Sequence, residues 1–333
     1  MVRMPVLAAL LLTLTTAAPP AFAEDRPELT IYTYDAFAAE WGPGPQLKAG
    51  FEAECGCTVN FTAVDSSIGA LRRVQLEGDT TTADIVLGLD TAVAGEARAT
   101  GLFAPHGLDL SGLDLPIAWA DPDFVPVDYG YFGFVYDKTK LETPPESLAE
   151  LAERDDISIL IQDPRSATPG LGLVLWIKAA YGDEAGALWE KLWDRVVTMT
   201  PDWSSAYNLF LGGEADMVLS YTTSPAYHAV AENDPNYASA PFDEGHYAQV
   251  EIAGIVKSSP HQELARSFLD WLVTPAAQAA LPNTNWMYPV VELPEPAPGF
   301  ADLPVPQKVL LLPDAEVDAG TGAWIAEALE AQN

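Results

Sequence analysis

Apolar and polar positions change period repeatedly along this chain, and the changes mark its elements. "ELTIYTYD" (28–35) predicts a strand, and "PQLKAGFEAECG" (45–56) places Leu47, Phe51 and Ala53 along a helix. "CTVNFTAV" reads as a second strand, "IGALRRVQLEG" as a helix, and "ADIVLGLD" as the continuous apolar run of a strand buried on both faces. Strand and helix alternating in this way predict a doubly wound α/β lobe. In such a lobe the loops beyond the carboxyl ends of the strands line a crevice. Here they carry Tyr34 with Asp35, Asp65 to Ser67, and Asp90.

Further along, "VDYGYFGFVYDK" predicts a strand in which Tyr129, Tyr131 and Phe132 alternate with small residues, and Tyr131 and Phe132 are assigned to the core. A helix led by two prolines follows, its start marked by the capping-box spacing of Ser147 and Glu150. "SILIQDP" is another buried strand, and "RSATPGLGLVLWIKAAYG" a glycine-bearing loop that opens into a helix. "WSSAYNLFLGGEADMVLSYTTSPAYH" then repeats the order of "IGALRRVQLEGDTTTADIVLGLD": helix, glycine, Ala-Asp, apolar strand. A second lobe built like the first is expected. "EGHYAQVEIAGIV" predicts a strand returning toward lobe one, and "HQELARSFLDWLVTPAAQAAL" an amphipathic helix broken at Pro275. "TGAWIAEALEAQ" closes the chain as a helix, after a Pro- and Leu-rich tail at 291–315. No low-complexity linker separates the lobes. The expected division is lobe one from 24–128 plus about 251–285, and lobe two from 129–250 plus about 286–333, joined by crossing strands that form a hinge.

Residues 1–23 carry Arg3, a leucine- and alanine-rich run and the small-residue end Ala21-Phe22-Ala23, the pattern of a secretory signal peptide cut after Ala23. The run from Val6 to Ala18 is too short to span a bilayer, so the mature chain is expected to be exported and soluble. With 48 acidic and 16 basic residues the formal charge is −32, and −33 once Arg3 leaves with the leader. That surface repels nucleic acid and anionic lipid. Because the charge is spread along the chain, a generally acidic, salt-adapted surface is favoured over a device for attracting a cationic solute. Cys55 and Cys57 are the only cysteines; in an oxidising compartment a short structural disulfide across Gly56 is expected. His106, His228, His246 and His261 lack metal-type spacing, and no metal or cofactor is expected.

The blocks "YTYDAFAAEWGPGP", "ADIVLGLD", "DYGYFGFVYDK", "TPGLGL", "SYTTSPAYH" and "NWMYPV" resemble, in the same order and at similar spacing, the periplasmic thiamine-binding proteins of bacterial ABC importers. "YDKTKLETPPESLAEL" and "ELARSFLDWLVTPAAQ" are similar to type II solute-binding proteins more widely. The resemblance implies a two-lobed, hinge-closing periplasmic receptor without enzymatic activity, a monomer that binds thiamine and its mono- and pyrophosphate. It would deliver them to an inner-membrane permease with its ATPase.

Thiamine has an aminopyrimidine, a cationic thiazolium and a hydroxyethyl arm, so its receptor needs aromatic faces, an acceptor and donors. By the resemblance Tyr34, Trp203, Tyr221 and Trp286 supply faces, each worth about 2 kcal/mol to a desolvated cation. Trp41 and Tyr227 are further candidates. Thr222, Thr223 and Ser224 end a buried strand with backbone amides and hydroxyls that can donate, and Thr223 or Ser224 can equally cap the next helix. Ala167 and Thr168 stand at a glycine-rich helix start suited to phosphate oxygens. Asp65, Ser66 and Ser67 begin the helix of lobe one, where the family often has Asp-Gly in place of the Ser-Ser found here.

Three other readings compete. Thiaminases of the first type share the fold and use a nucleophilic cysteine, which a Cys55–Cys57 disulfide could not supply. A receptor for another cationic heterocycle is a second possibility. A ferric-ion receptor would use Tyr221 and Tyr227, but an adjacent tyrosine pair and a nearby histidine ligand set are missing.

Overall fold

The computed structural model describes residues 26–332, so the leader expected at 1–23 lies outside the described residues. Among them β1 (Glu28–Tyr34), β2 (Thr58–Val64) and β3 (Ile85–Asp90) are parallel neighbours in the order β2-β1-β3. Alternation along these strands feeds two cores. Leu29, Ile31 and Ile85 face Leu47 and Phe51 of the helix Gly44–Cys55, while Tyr32 and Val86 face Leu71 and Val74 of the helix Ser67–Glu77. β4 (Phe103–Ala104) is a short edge piece on lobe one.

Lobe two repeats the plan with β6 (Ile159–Gln162), β7 (Val196–Thr200) and β8 (Met217–Tyr221), parallel in the order β8-β6-β7. The helix Thr168–Tyr181 buries Leu171, Leu175 and Trp176, and the helix Trp203–Leu211 packs Ala206, Tyr207 and Phe210 on Val135, Leu160 and Val218. β9 (Tyr237–Ser239) pairs with the far end of the long strand β5 (Phe124–Asp137).

β5 and the equally buried β10 (His246–Val256) run through both lobes. Glu251–Ile255 pair with β3, and His246 and Tyr247 with β12 (Val309–Leu310). β5 pairs with β10 over 124–131 and with β8 over 132–136. The pairings of β10 slip register on both sides of Ile252, and such irregularities bend a strand. β11 (Tyr288–Pro289) lies against Tyr129 and Asp128 of β5. The result is a mixed α/β sheet with two lobes and a cleft over the crossing strands.

Some elements depart from the sequence pattern. β7 and the helix Ala185–Leu192 were not predicted; β7 is half exposed, which blurs its alternation. The last helix begins at Asp314, ahead of Thr321. Ser147 accepts from the Glu150 N–H at 3.0 Å, but the Glu150 carboxylate takes the N–H of Glu146 at 2.8 Å, one residue before the capping-box position. Helix Gln262–Leu272 ends before Pro275, as its break predicts. Cys55 and Cys57 are disulfide-bonded, with Gly56 in the left-handed region between them. Among the described residues no helix is long and apolar enough to cross a membrane.

Candidate functional site

The floor of the cleft is acidic. Asp128 on β5 stands directly opposite Glu251 on β10, and Asp90 ends β3 beside Glu251 in the register. All three are buried. Asn285 donates its amide to Asp128 Oδ2 at 2.6 Å, and the Tyr34 hydroxyl lies 2.9 Å from Glu251 Oε2 and 3.2 Å from Asn285 Oδ1. Burial pushes the Asp90 carboxyl up to about 7, against the pull of backbone N–H groups at Ala92 and Val93. Burial likewise raises Asp128, and lifts Glu251 well above the carboxylate range with Asp128 adding to the effect. The phenols of Tyr34 and Tyr221 are raised first by burial and then by these carboxyls.

Aromatic rings flank that floor. Tyr221 lies over Phe132 at 5.4 Å between centroids, and Gly130 makes room beside it: a Cβ there would meet Met287 Cε at 2.6 Å and Tyr221 Cδ1 at 3.6 Å. Trp203 donates Nε1–H to Ser220 Oγ at 2.8 Å and stacks on Tyr207 at 4.8 Å. Trp286 adopts φ +57, ending the helix Leu281–Thr284 with its N–H on the Leu281 carbonyl at 3.0 Å. A bulky residue in that region carries about 1–2 kcal/mol of strain, which persists where neighbours hold it. Here its ring meets the edge of Tyr227 at 5.4 Å, while Asn285 before it reaches Asp128 and Met287 after it meets the Thr223 hydroxyl at 3.8 Å. The Tyr227 hydroxyl is committed to Glu232 at 2.9 Å. Trp41 stands 60% exposed on its loop and covers no seam.

Two helix starts meet at the mouth. Ser67 Oγ and Thr168 Oγ1 are 2.6 Å apart and both buried, while Ser66 caps its own helix by accepting from Gly69 N–H at 3.1 Å. Ala167 is the N-cap residue before Thr168. The glycines after it serve packing: a Cβ on Gly170 would come within 2.3 Å of the Gln162 carbonyl, and one on Gly172 within 2.1 Å of the Phe132 ring. Asp65 is exposed at the rim, and with Asp202 from lobe two it adds to the burial that raises the Asp35 carboxyl.

A family model described as bacterial extracellular solute-binding protein matches residues 27–279. The chain belongs to that family. The thiamine-binding periplasmic protein of Brucella abortus is 52% identical to this solute-binding protein over 316 residues, 94% of each chain. A solved periplasmic thiamin binding protein matches it with a TM-score of 0.91 at 49% identity, covering 95% of this chain and 100% of that one. The ferric binding protein from Campylobacter jejuni, at 19% identity and TM-score 0.74 over 91% of this chain and 99% of that one, shares the fold alone.

Of the residues singled out in this solute-binding protein from sequence, the structure gathers Tyr34 and Tyr221 on the acidic floor, places Trp203 at the start of the helix Trp203–Leu211 and Trp286 just after the helix Leu281–Thr284, and joins Ser67 to Thr168. Neither Thr223 nor Ser224 caps the helix Ser224–Ala231 by its side chain. Ser224 Oγ instead accepts from the Tyr221 N–H at 3.3 Å and lies 2.8 Å from Ser220 Oγ, and the Thr222 N–H donates to Tyr131 O at 2.9 Å. Sequence reasoning passed over Asp128, Glu251 and Asn285. The available signal was an acidic residue inside each of two largely apolar strands, "FVPVDYGYF" and "HYAQVEIAGIV".

Proposed function

We propose that this protein is the extracytoplasmic receptor of an importer: it captures thiamine, with its mono- and pyrophosphate, in the periplasm and delivers it to an inner-membrane ABC permease driven by an ATPase. The observation that carries this reading is 52% identity along 94% of the chain to a protein named for binding thiamine. The cleft agrees in chemistry. A delocalised cation gains from aromatic faces and from negative charge that water does not screen, and Tyr34 and Tyr221 adjoin the buried carboxyls, with Trp203 and Trp286 as further candidate faces. Donors for the arm would come from Ser66, Ser67, Ala167, Thr168 and Thr222 to Ser224, with Asp65, Trp41 and Tyr227 at the periphery.

In this reading the leader is removed after Ala23, the mature protein acts as a monomer, and the lobes of 24–128 plus about 251–285 and of 129–250 plus about 286–333 rotate about the crossing strands. It binds without turnover, since its only cysteines are bonded to each other. Titrating the mature protein with thiamine, its two phosphates and ferric citrate, followed by tryptophan fluorescence and calorimetry, tests the reading. Saturable thiamine binding with the vitamin recovered intact is expected. Binding of ferric ion alone, or release of free pyrimidine and thiazole, would overturn it.

A further inference from the structure

We infer that Asp90, Asp128 and Glu251 are the counter-charge for the cationic ring of the ligand, and that the empty site holds a proton among them which passes to solvent when the cation enters. The inference rests on the reading of this protein as a receptor for a permanently cationic ligand.

The geometry of the free site forbids three bare charges. Asp128 and Glu251 are directly opposed on neighbouring strands, at which position antiparallel Cα atoms are only about 4.5–5.5 Å apart. Both are buried, as is Asp90, and among the described residues the groups that face them bring no positive charge. Those groups are Tyr34 from β1, Tyr221 from β8, Tyr247 from β10 and Asn285. None is a lysine, arginine or histidine. Two like charges in such a place cannot both ionise freely, as the raised carboxyls of the site agree.

The site is also rich in acceptors that nothing satisfies. Among the described residues Asp90 Oδ1, Asp128 Oδ1 and Glu251 Oε1 have no hydrogen-bond partner. Independently of the acids, the amide oxygen of Gln249 is unpartnered on a side chain that is 3% exposed. Strand alternation puts Gln249 on the face of Glu251, opposite Gly130, where the Met287 side chain packs in place of a Cβ. Buried acceptors left unmet are unfavourable, so the arrangement favours a ligand that brings positive charge and N–H donors. Among the described residues no group of three or more His, Cys, Asp and Glu is set to hold a metal ion, and the adjoining phenol rings suit a flat organic cation.

When such a cation arrives, it stabilises the ionised carboxylate. The O–H bond of the protonated carboxyl breaks, the proton goes to water and then to buffer, and the carboxylate is left paired with the ring. Affinity must then rise with pH, by up to about tenfold per unit for each proton released.

Calorimetric titration of the mature protein with thiamine, at about pH 7 in buffers of different ionisation enthalpy, counts the protons. The ligand's own aminopyrimidine stays neutral at and above that pH. We expect release of close to one proton per thiamine and a dissociation constant that falls several-fold between about pH 6.5 and 8. Asp128→Asn and Glu251→Gln should each bring the release towards zero, and a neutral isostere of thiamine should bind more weakly and release none. Thiamine bound with no proton exchanged and a flat pH profile would overturn the inference while leaving the receptor reading intact. Failure to bind thiamine at any pH would overturn both. Should either variant fail to fold, the wild-type buffer series decides alone.

Discussion

The hydroxyls of Ser67 and Thr168, on the first turns of helices from opposite lobes, lie 2.6 Å apart and bridge the mouth of the cleft. Because each comes from a different lobe, the bond exists only when the lobes are together. A buried neutral hydrogen bond is worth about 1 kcal/mol, so Ser67→Ala or Thr168→Ala should weaken thiamine binding about fivefold by loosening the closed form. Small-angle scattering should show a smaller radius of gyration for the wild type with thiamine than without. An unchanged radius at saturation would argue against closure about the crossing strands.

Trp203 and Trp286 are proposed to supply aromatic faces, so truncating either removes cation–π attraction and contact area together. Each change to Ala should cost roughly 1.5–3 kcal/mol, about tenfold to a hundredfold in dissociation constant. Salt should matter far less, because exposed charges are screened within about 8 Å at physiological ionic strength. Trp41→Ala, at an exposed loop position, should stay within about twofold. Calorimetry at low and high salt would reveal the opposite pattern if the acidic surface carried the affinity.

Asp90 titrates near 7 in the folded chain and close to its ordinary value when unfolded. Between those values the native state holds the proton more tightly, so this group's contribution to stability is full below about pH 4 and is lost as pH rises through about 7. Without ligand, the wild type should therefore lose about 2–3 kcal/mol more than Asp90→Asn between about pH 5 and 8. That corresponds to roughly 5 °C or more in Tm. Parallel Tm profiles for the two proteins would refute the assignment of a raised carboxyl at this position.

The disulfide closes a very short loop at the end of the helix Gly44–Cys55, away from the carboxyl floor. Loop-closure entropy for so few residues is about 1–2 kcal/mol, so the double change Cys55→Ser, Cys57→Ser should lower stability by that order. Thiamine affinity should be unchanged. Loss of binding with the fold retained, seen by circular dichroism alongside calorimetry, would place the pair in the site.

The elements and the two-lobed plan were legible in the chain because periodicity is local. Alternation along "ELTIYTYD" and the apolar run of "ADIVLGLD" announce strands whatever they pair with, and Pro275 breaks its helix by lacking a backbone N–H. Tyr34 was assigned to the crevice because strand ends in such lobes open onto it, whereas Tyr221 was singled out by the family resemblance. What lies across from each residue was not legible. Asp128 and Glu251 become partners only through the register of two strands distant in sequence, and Ser67 meets Thr168 only because two lobes face each other. That Gly170 and Gly172 make room for the Gln162 carbonyl and the Phe132 ring likewise emerges only from the packing. A local pattern states which face of an element is buried. The ionisation, the unmet acceptors and the close approaches that give the cleft its chemistry depend on what is buried against that face, which only long-range packing decides.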